Sequence, residues 1–186
     1  MRKRTKAREY AIQLLYQLDV TRADSGPAIE EFWGYRPVAA EVQTFATRLV
    51  QGTLEHQAEL DRLIASHASN WNINRMAVVD RNILRMGAYE LLYLNDVPPK
   101  VCLNEAIELA KRFGDEESSK FVNGILDTIH KTQGRHHPGQ GPAEGGDQPD
   151  ASGPQPATPP PAYSPEAKTR PSGPNAGGGA SPLRAS

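Results

Sequence analysis

At Gly134 the sequence changes character, and the change limits what the chain can fold into: 22 of the 53 residues over 134–186 are proline or glycine, with hardly any large aliphatic side chains. A segment so poor in apolar surface cannot offset the entropy of ordering its own backbone. Residues 134–186 therefore read as a disordered Pro/Gly-rich tail, and residues 1–133 as one domain large enough for a single core.

Within those 133 residues the apolar positions recur at spacings of three and four. Ala7, Ala11, Leu14, Leu15 and Leu18 make the first stripe, over residues 5–21. Asp24, Ser25, Gly26 and Pro27 form a turn, with Pro27 placed to open a short helix to about residue 34. Val38, Val42, Phe45 and Leu49 carry the next stripe, and Leu54, Ala58, Leu60, Leu63 and Ile64 extend the pattern to about residue 66. Gly52, inside that stretch, marks either a boundary or a close contact. Residues 67–74 are polar, with Asn70, Asn72 and Asn74 around Trp71, and suit a connection. Helix formers resume over 75–94 and bury Val79, Ile83, Leu84, Ala88, Leu91 and Leu92; Pro98 and Pro99 end that helix. Another helix spans 100–113 and stops at Gly114. Asp115 caps a last one, which opens with Glu116 and Glu117 and buries Phe121, Val122, Ile125, Leu126 and Ile129. No sustained alternation of Val, Ile and Thr marks a strand. The expected fold is all-α, a single compact bundle of about six or seven helices.

The domain is nearly neutral, 17 Lys and Arg against 18 Asp and Glu, yet Arg2, Lys3, Arg4, Lys6 and Arg8 make five of the first eight residues basic. Such a cluster adds little to a core and suits a polyanion, because each cation set against a phosphate releases condensed counterion. It reads as an arm that contacts phosphates and orders on binding single-stranded RNA, or more plainly as a terminal cluster that aids solubility.

Other chemistry finds little support. One cysteine, Cys102, excludes an intramolecular disulfide and a Cys-rich zinc site, and reads as a small buried or half-buried thiol rather than a nucleophile. His56 and His67 have no partner at metal-binding spacing and read as surface histidines, while His136 and His137 fall in the tail. No glycine-rich phosphate loop is present and no carboxylate pair stands out as acid and base, so catalysis, cofactor and metal are not expected. Neither a signal peptide nor a run of about 18 apolar residues is visible, which suggests a cytoplasmic protein. One further segment, residues 113–121, has the parts that stack and hydrogen-bond an unpaired base: helix-start amides, Ser118 and Ser119, Lys120, and flanking Phe113 and Phe121. A well-capped helix with core phenylalanines fits the same residues.

The runs VPPKVCLNEAIELAKRFG at 97–114 and SKFVNGILD at 119–127 closely resemble the NusB family of bacterial transcription antitermination factors. ARE at 7–9 with QLLY at 13–16, and DRNILR at 80–85 with YEL at 89–91, agree in the same order, so the resemblance covers residues 2 to about 131. It implies a helical bundle that is not an enzyme, pairs with the ribosomal protein NusE and binds the boxA element of nascent RNA. With other Nus factors on RNA polymerase, such a complex suppresses premature termination while ribosomal RNA is made.

Position by position, the resemblance sets Arg2, Arg4 and Lys6 where the family's basic arm meets RNA, with Thr5 interrupting the run. His67 stands where some members carry an RNA-binding tyrosine. Glu117 takes the place of an acidic residue beside the RNA, in the neighbourhood of Phe113, Lys120, Phe121 and Asn123. Tyr16 and Asp80 match positions that contact NusE, against the plainer readings of a buried tyrosine and a helix-start carboxylate. Two rivals have distinct requirements. An accessory module of a ribosomal RNA methyltransferase needs a glycine-rich cofactor domain after residue 131, where only the tail stands. A structural homodimer that hides its RNA surface would keep its size whether or not RNA or NusE is added.

Overall fold

Asp24 shows how local chemistry sets the helix boundaries: its side chain accepts from the Gly26 amide at 3.4 Å and caps a helix that starts at Ser25, so Pro27 sits within the first turn. In the computed structural model, which describes residues 3–68 and 72–133, α1 spans Lys3–Thr21, α2 Ser25–Gly34, α3 Ala40–Glu55 and α4 Gln57–His67. A 3-10 turn, Ile73–Arg75, leads into α5, Val78–Tyr93, followed by α6, Pro99–Phe113, and α7, Ser118–Gln133. The described residues contain helices and no strand, as the periodicity requires. The expected tail at 134–186, with His136 and His137, lies outside the described residues, as do Arg2 and Trp71.

Several boundaries differ from the sequence expectation, each for a local reason. The break between α3 and α4 falls at His56, four residues beyond Gly52. Gly52 stays inside α3 as a close contact, because a Cβ there would fall inside the Tyr89 ring that crosses it. Replacing Gly52 with alanine should therefore push Tyr89 out of its stack with Tyr93, whose ring centre lies 5.5 Å away, and cost about 1–3 kcal/mol of stability in urea unfolding. Wild-type stability would mean that the ring swings aside freely.

Helix α5 begins at Val78 rather than near residue 75, since Asn72 accepts from the Asn74 amide at 2.9 Å and winds 73–75 into the tighter turn. Pro98 and Pro99 stand at the cap and first position of α6, where a missing amide proton costs no helical bond. Gly114 ends α6 in an extended conformation, and its need for glycine is steric: a Cβ would lie 2.7 Å from the Ala110 carbonyl and against Ser118. Asp115 Oδ1 then accepts from the Glu117 and Ser118 amides, both at 3.0 Å, while Ser118 Oγ accepts from the Asp115 amide at 2.9 Å. This reciprocal lock places Glu116 and Glu117 in the turn ahead of α7.

Packing converges on α5, which touches α1, α3, α4, α6 and α7. Residues 82–90 are consequently all buried, polar ones included. At one end Arg85 forks onto Asp61, at 2.6 and 2.8 Å, and reaches Asp19 at 3.0 Å. Arg81 meets the same Asp19 through two bonds of 2.7 Å, and Asn82 donates to it at 3.0 Å. Burial works to raise the Asp19 carboxyl, but the hydrogen bonds from Arg81 and Asn82 and the two arginine charges hold it below the usual carboxylate range. The C-terminal end of α1 is thereby pinned to the central helix.

Candidate nucleic-acid interface

Helix α1 starts with cations at the wrong end for its own dipole: its first turn holds Lys3, Arg4 and Lys6 and no acidic residue. Each finds a carboxylate from the fold instead. Lys3 pairs with Glu41 of α3, Arg4 Nη2 lies 2.9 Å from Asp96 Oδ2 in the α5–α6 loop, and Lys6 Nζ lies 3.0 Å from Glu9 Oε2. The Arg4 guanidinium also sits 4.8 Å above the Phe45 ring, and the Lys6 ammonium 4.9 Å from that of Tyr10. These side chains remain 69, 51 and 38% exposed, so they are anchored yet reachable. The expectation of an arm that orders on binding is corrected from Lys3 onward, where the chain is already helical.

Arg8 leaves the basic cluster altogether. It is 1% exposed and forks onto Glu90 of α5, Nε–Oε1 at 2.8 Å and Nη2–Oε2 at 2.6 Å, with Glu105 of α6 3.8 Å away. A helical period places it one turn beyond Arg4 on the buried side, which a count of charges does not reveal. Its neighbour Glu9 is also buried and pairs with both Lys6 and Arg112. Arg112 in turn lies 5.5 Å from the ring centre of half-buried Phe113. The chain of contacts Lys6–Glu9–Arg112–Phe113 thus ties the start of α1 to the α6–α7 corner.

At that corner Glu117, Lys120 and Asn123 are exposed, with Lys120 Nζ 3.1 Å from Glu117 Oε1. Phe121 is 5% exposed and belongs to the core, which corrects its placement as a base-stacking residue. The helix-start amides need correcting too: Asp115 occupies those of Glu117 and Ser118, and Ser118 is fully buried. The surface left for a ligand is made by side chains, not by bare backbone.

His67 is not brought to this corner. Its half-buried ring bridges α4 and α7, Nδ1 2.9 Å from the Leu63 carbonyl and Nε2 3.0 Å from Thr132 Oγ1. Thr132 lies 14 residues after Ser118, about 21 Å along α7. His56, read as a surface histidine, is stacked on Tyr93 with ring centres 4.0 Å apart. Tyr16 is 44% exposed on α1, beside Val20 one turn on, so its reading as a buried tyrosine is set aside. Asp80 is 1% exposed in the first turn of α5, where the helix-start reading put it. Cys102 is buried, as expected for a packed thiol.

One cation that charge counting along the chain did not single out joins the site. Arg48 of α3 reaches the carboxylate held by Arg4, with Nη1 3.5 Å from Asp96 Oδ1. Forty-four positions separate the two arginines, and only the packing of α3 on α1 brings them together. Among the described residues no helix is long and apolar enough to cross a membrane, and no group of His, Cys, Asp and Glu is placed to hold a metal ion.

Comparison with known proteins gives this arrangement a context. The model of the NusB family matches residues 5–131. The transcription antitermination protein NusB of Syntrophomonas wolfei is 48% identical over 126 residues, 68% of this chain and 94% of that protein. Among solved structures, T. maritima NusB is 39% identical with a TM-score of 0.63, covering 70% of this chain and 92% of its own. A NusB chain crystallised with NusE and double-stranded RNA is 32% identical with a TM-score of 0.65, covering 71 and 98%.

Proposed function

We propose that this chain, which belongs to the NusB family, holds boxA-type single-stranded RNA across the start of α1 and the α6–α7 corner, jointly with NusE. It is a transcription antitermination factor and not an enzyme. Working in the cytoplasm with other Nus factors on RNA polymerase, it supports processive transcription of ribosomal RNA operons. The observation that carries the RNA surface is the contact chain Lys6–Glu9–Arg112–Phe113, which makes the two candidate regions neighbours. Arg2, Arg4 and Lys6 supply phosphate contacts there, and Lys120, Asn123 and the half-exposed Phe113 supply contacts to sugars and bases. His67, at the far end of α7, enters only where the RNA runs that length. Farther along α1, the exposed phenol of Tyr16 beside Val20 offers NusE an apolar edge with a polar tip. A relative solved with NusE and RNA supports pairing of this kind.

Titration of boxA RNA and a scrambled RNA, each with and without NusE, tests the reading: tighter binding of boxA, and tighter still with NusE, is expected. Equal binding of both RNAs would overturn it. Replacing Arg2, Arg4 and Lys6 with alanine should weaken binding and flatten the slope of log K against log salt by about 2, at roughly 0.7 per phosphate contact on a single strand. An unchanged slope removes those residues from the mechanism. In the same titration Glu117→Asn should tighten binding, because an exposed carboxylate beside a phosphate repels it.

A further inference from the structure

Two guanidiniums from different helices converge on one carboxylate at the edge of the proposed RNA surface. Arg4 Nη2 is 2.9 Å and Arg48 Nη1 3.5 Å from the two oxygens of Asp96, and Arg4 Nη1 also reaches the Asp96 carbonyl at 3.4 Å. The three side chains are 51, 49 and 43% exposed, so the cluster faces solvent and contributes little to the core. Phe45 is half-buried beneath Arg4, and the buried Arg8 guanidinium lies 5.4 Å from the centre of the same ring, so the surface on which Arg4 rests is held by the core. Slight desolvation works to raise the Asp96 carboxyl, but the hydrogen bond from Arg4 and the charges of Arg48 and Arg4 hold it below the usual carboxylate range. It is thus an anion wherever RNA is.

Planar forks that accept a carboxylate also accept a phosphate, with the same donors and nearly the same distances. We infer that Arg4 and Arg48 form a discrete RNA phosphate site, that Asp96 occupies it in the free protein as an internal stand-in, and that RNA binds there by displacing that carboxylate. The inference rests on the RNA-binding reading and extends it from α1 onto α3. Arg48 itself lines a groove of about 660 Å³ along α3, with Gln43, Thr44 and Thr47 to one side of it and Gln51 and the Tyr89 ring to the other. Amides and hydroxyls of this kind suit the ribose and base edges of the adjoining nucleotide. Glu55, the last lining residue along α3, repels a phosphate at that end and keeps the charged contact at Arg48, about two turns back.

The consequence is a gate that discriminates between weak and strong polyanions. A ligand must offer more than Asp96 already gives, so a lone anion gains little, whereas RNA gains the neighbouring contacts at the same moment. The experiment uses the full chain, boxA-type and scrambled RNA oligonucleotides with and without NusE, and four variants: Asp96→Asn, Arg48→Ala, the double variant, and Glu30→Gln as a carboxylate exposed on α2. Asp96→Asn should tighten RNA binding about three- to fivefold, the scale of an exposed ion pair, and Arg48→Ala should weaken it by a similar factor. In the double variant the gain from Asp96→Asn should shrink, because one of the two forks it frees is gone. Melting temperatures should stay at the wild-type value, since all these groups are exposed. An unchanged or weaker affinity for Asp96→Asn overturns the inference, as does an equal gain from Glu30→Gln, which would assign the effect to overall charge. Failure of the wild-type chain to bind either RNA, even with NusE, instead removes the RNA-binding reading and this site along with it.

Discussion

Arg8→Ala should lower the unfolding free energy by about 3–5 kcal/mol, the cost of stranding a buried charge without its partner. The stranded group is Glu90, 2% exposed in the last turn of α5, whose oxygens take both arms of the Arg8 fork. Burial raises the Glu90 carboxyl above its ordinary value, and the hydrogen bond and charge of Arg8 draw it only part of the way back. The guanidinium gains in return: burial works against its charge, yet the hydrogen bond and field of Glu90, with Glu105 beyond, hold it above its ordinary value. Replacing both members, Arg8→Met with Glu90→Leu, should restore most of the loss, since neither half of the pair is then left as an unpartnered buried charge. Urea unfolding of the two variants checks this. A loss below about 1 kcal/mol for Arg8→Ala would show that water reaches Glu90 and that the pair is not buried in solution. The measurement also separates stability from binding, because Arg8 belongs to the basic run in sequence but is buried away from the proposed RNA surface.

Phe121→Ala should cost a similar amount, about 3–5 kcal/mol, as a large ring deleted from a packed interior. Phe121 stands with Val122, Ile125, Leu126 and Ile129 on the face of α7 turned to the core, where α7 meets α4, α5 and α6. The decisive companion is Phe121→Leu, which keeps most of the volume. It should lose less than about 1.5 kcal/mol and leave RNA affinity unchanged. A base stacked on this ring would behave otherwise, since loss of an aromatic platform weakens single-strand binding by about 1–3 kcal/mol even when the fold survives. Unchanged stability with weakened binding would put Phe121 back at the RNA.

These two residues show where sequence reading succeeds and where it stops. Periodicity carried α1, α6 and α7 closely, because each buries one face and leaves the other to solvent, and the spacing of Leu14, Leu15 and Leu18 or of Ile125 and Ile129 records that directly. Helix α5 resisted the same reading. It is buried on nearly every side, yet its sequence carries Asp80, Asn82, Arg85 and Glu90, which look like a solvated face until Asp19, Asp61 and Arg8 arrive from other helices. The site divides in the same way. Lys3, Arg4 and Lys6 are legible as a cluster of charge, but neither the inward turn of Arg8 nor the arrival of Arg48 is a property of neighbouring residues. At the α6–α7 corner the motif was visible while its use was not: Asp115 and Ser118 satisfy each other, and only the fold reveals that the helix start is already occupied.

Cys102 gives the chain a built-in clock. The thiol is 2% exposed at the seam between α5 and α6, and burial, with the Glu90 carboxylate close by, pushes it up to about 12. Thiolate is therefore scarce at neutral pH and out of reach of alkylating reagents until the seam opens. Being the sole sulfhydryl in the sequence, it converts any opening of that seam into one covalent mark, whose rate of appearance follows the breathing of the central helix without a label having to be added.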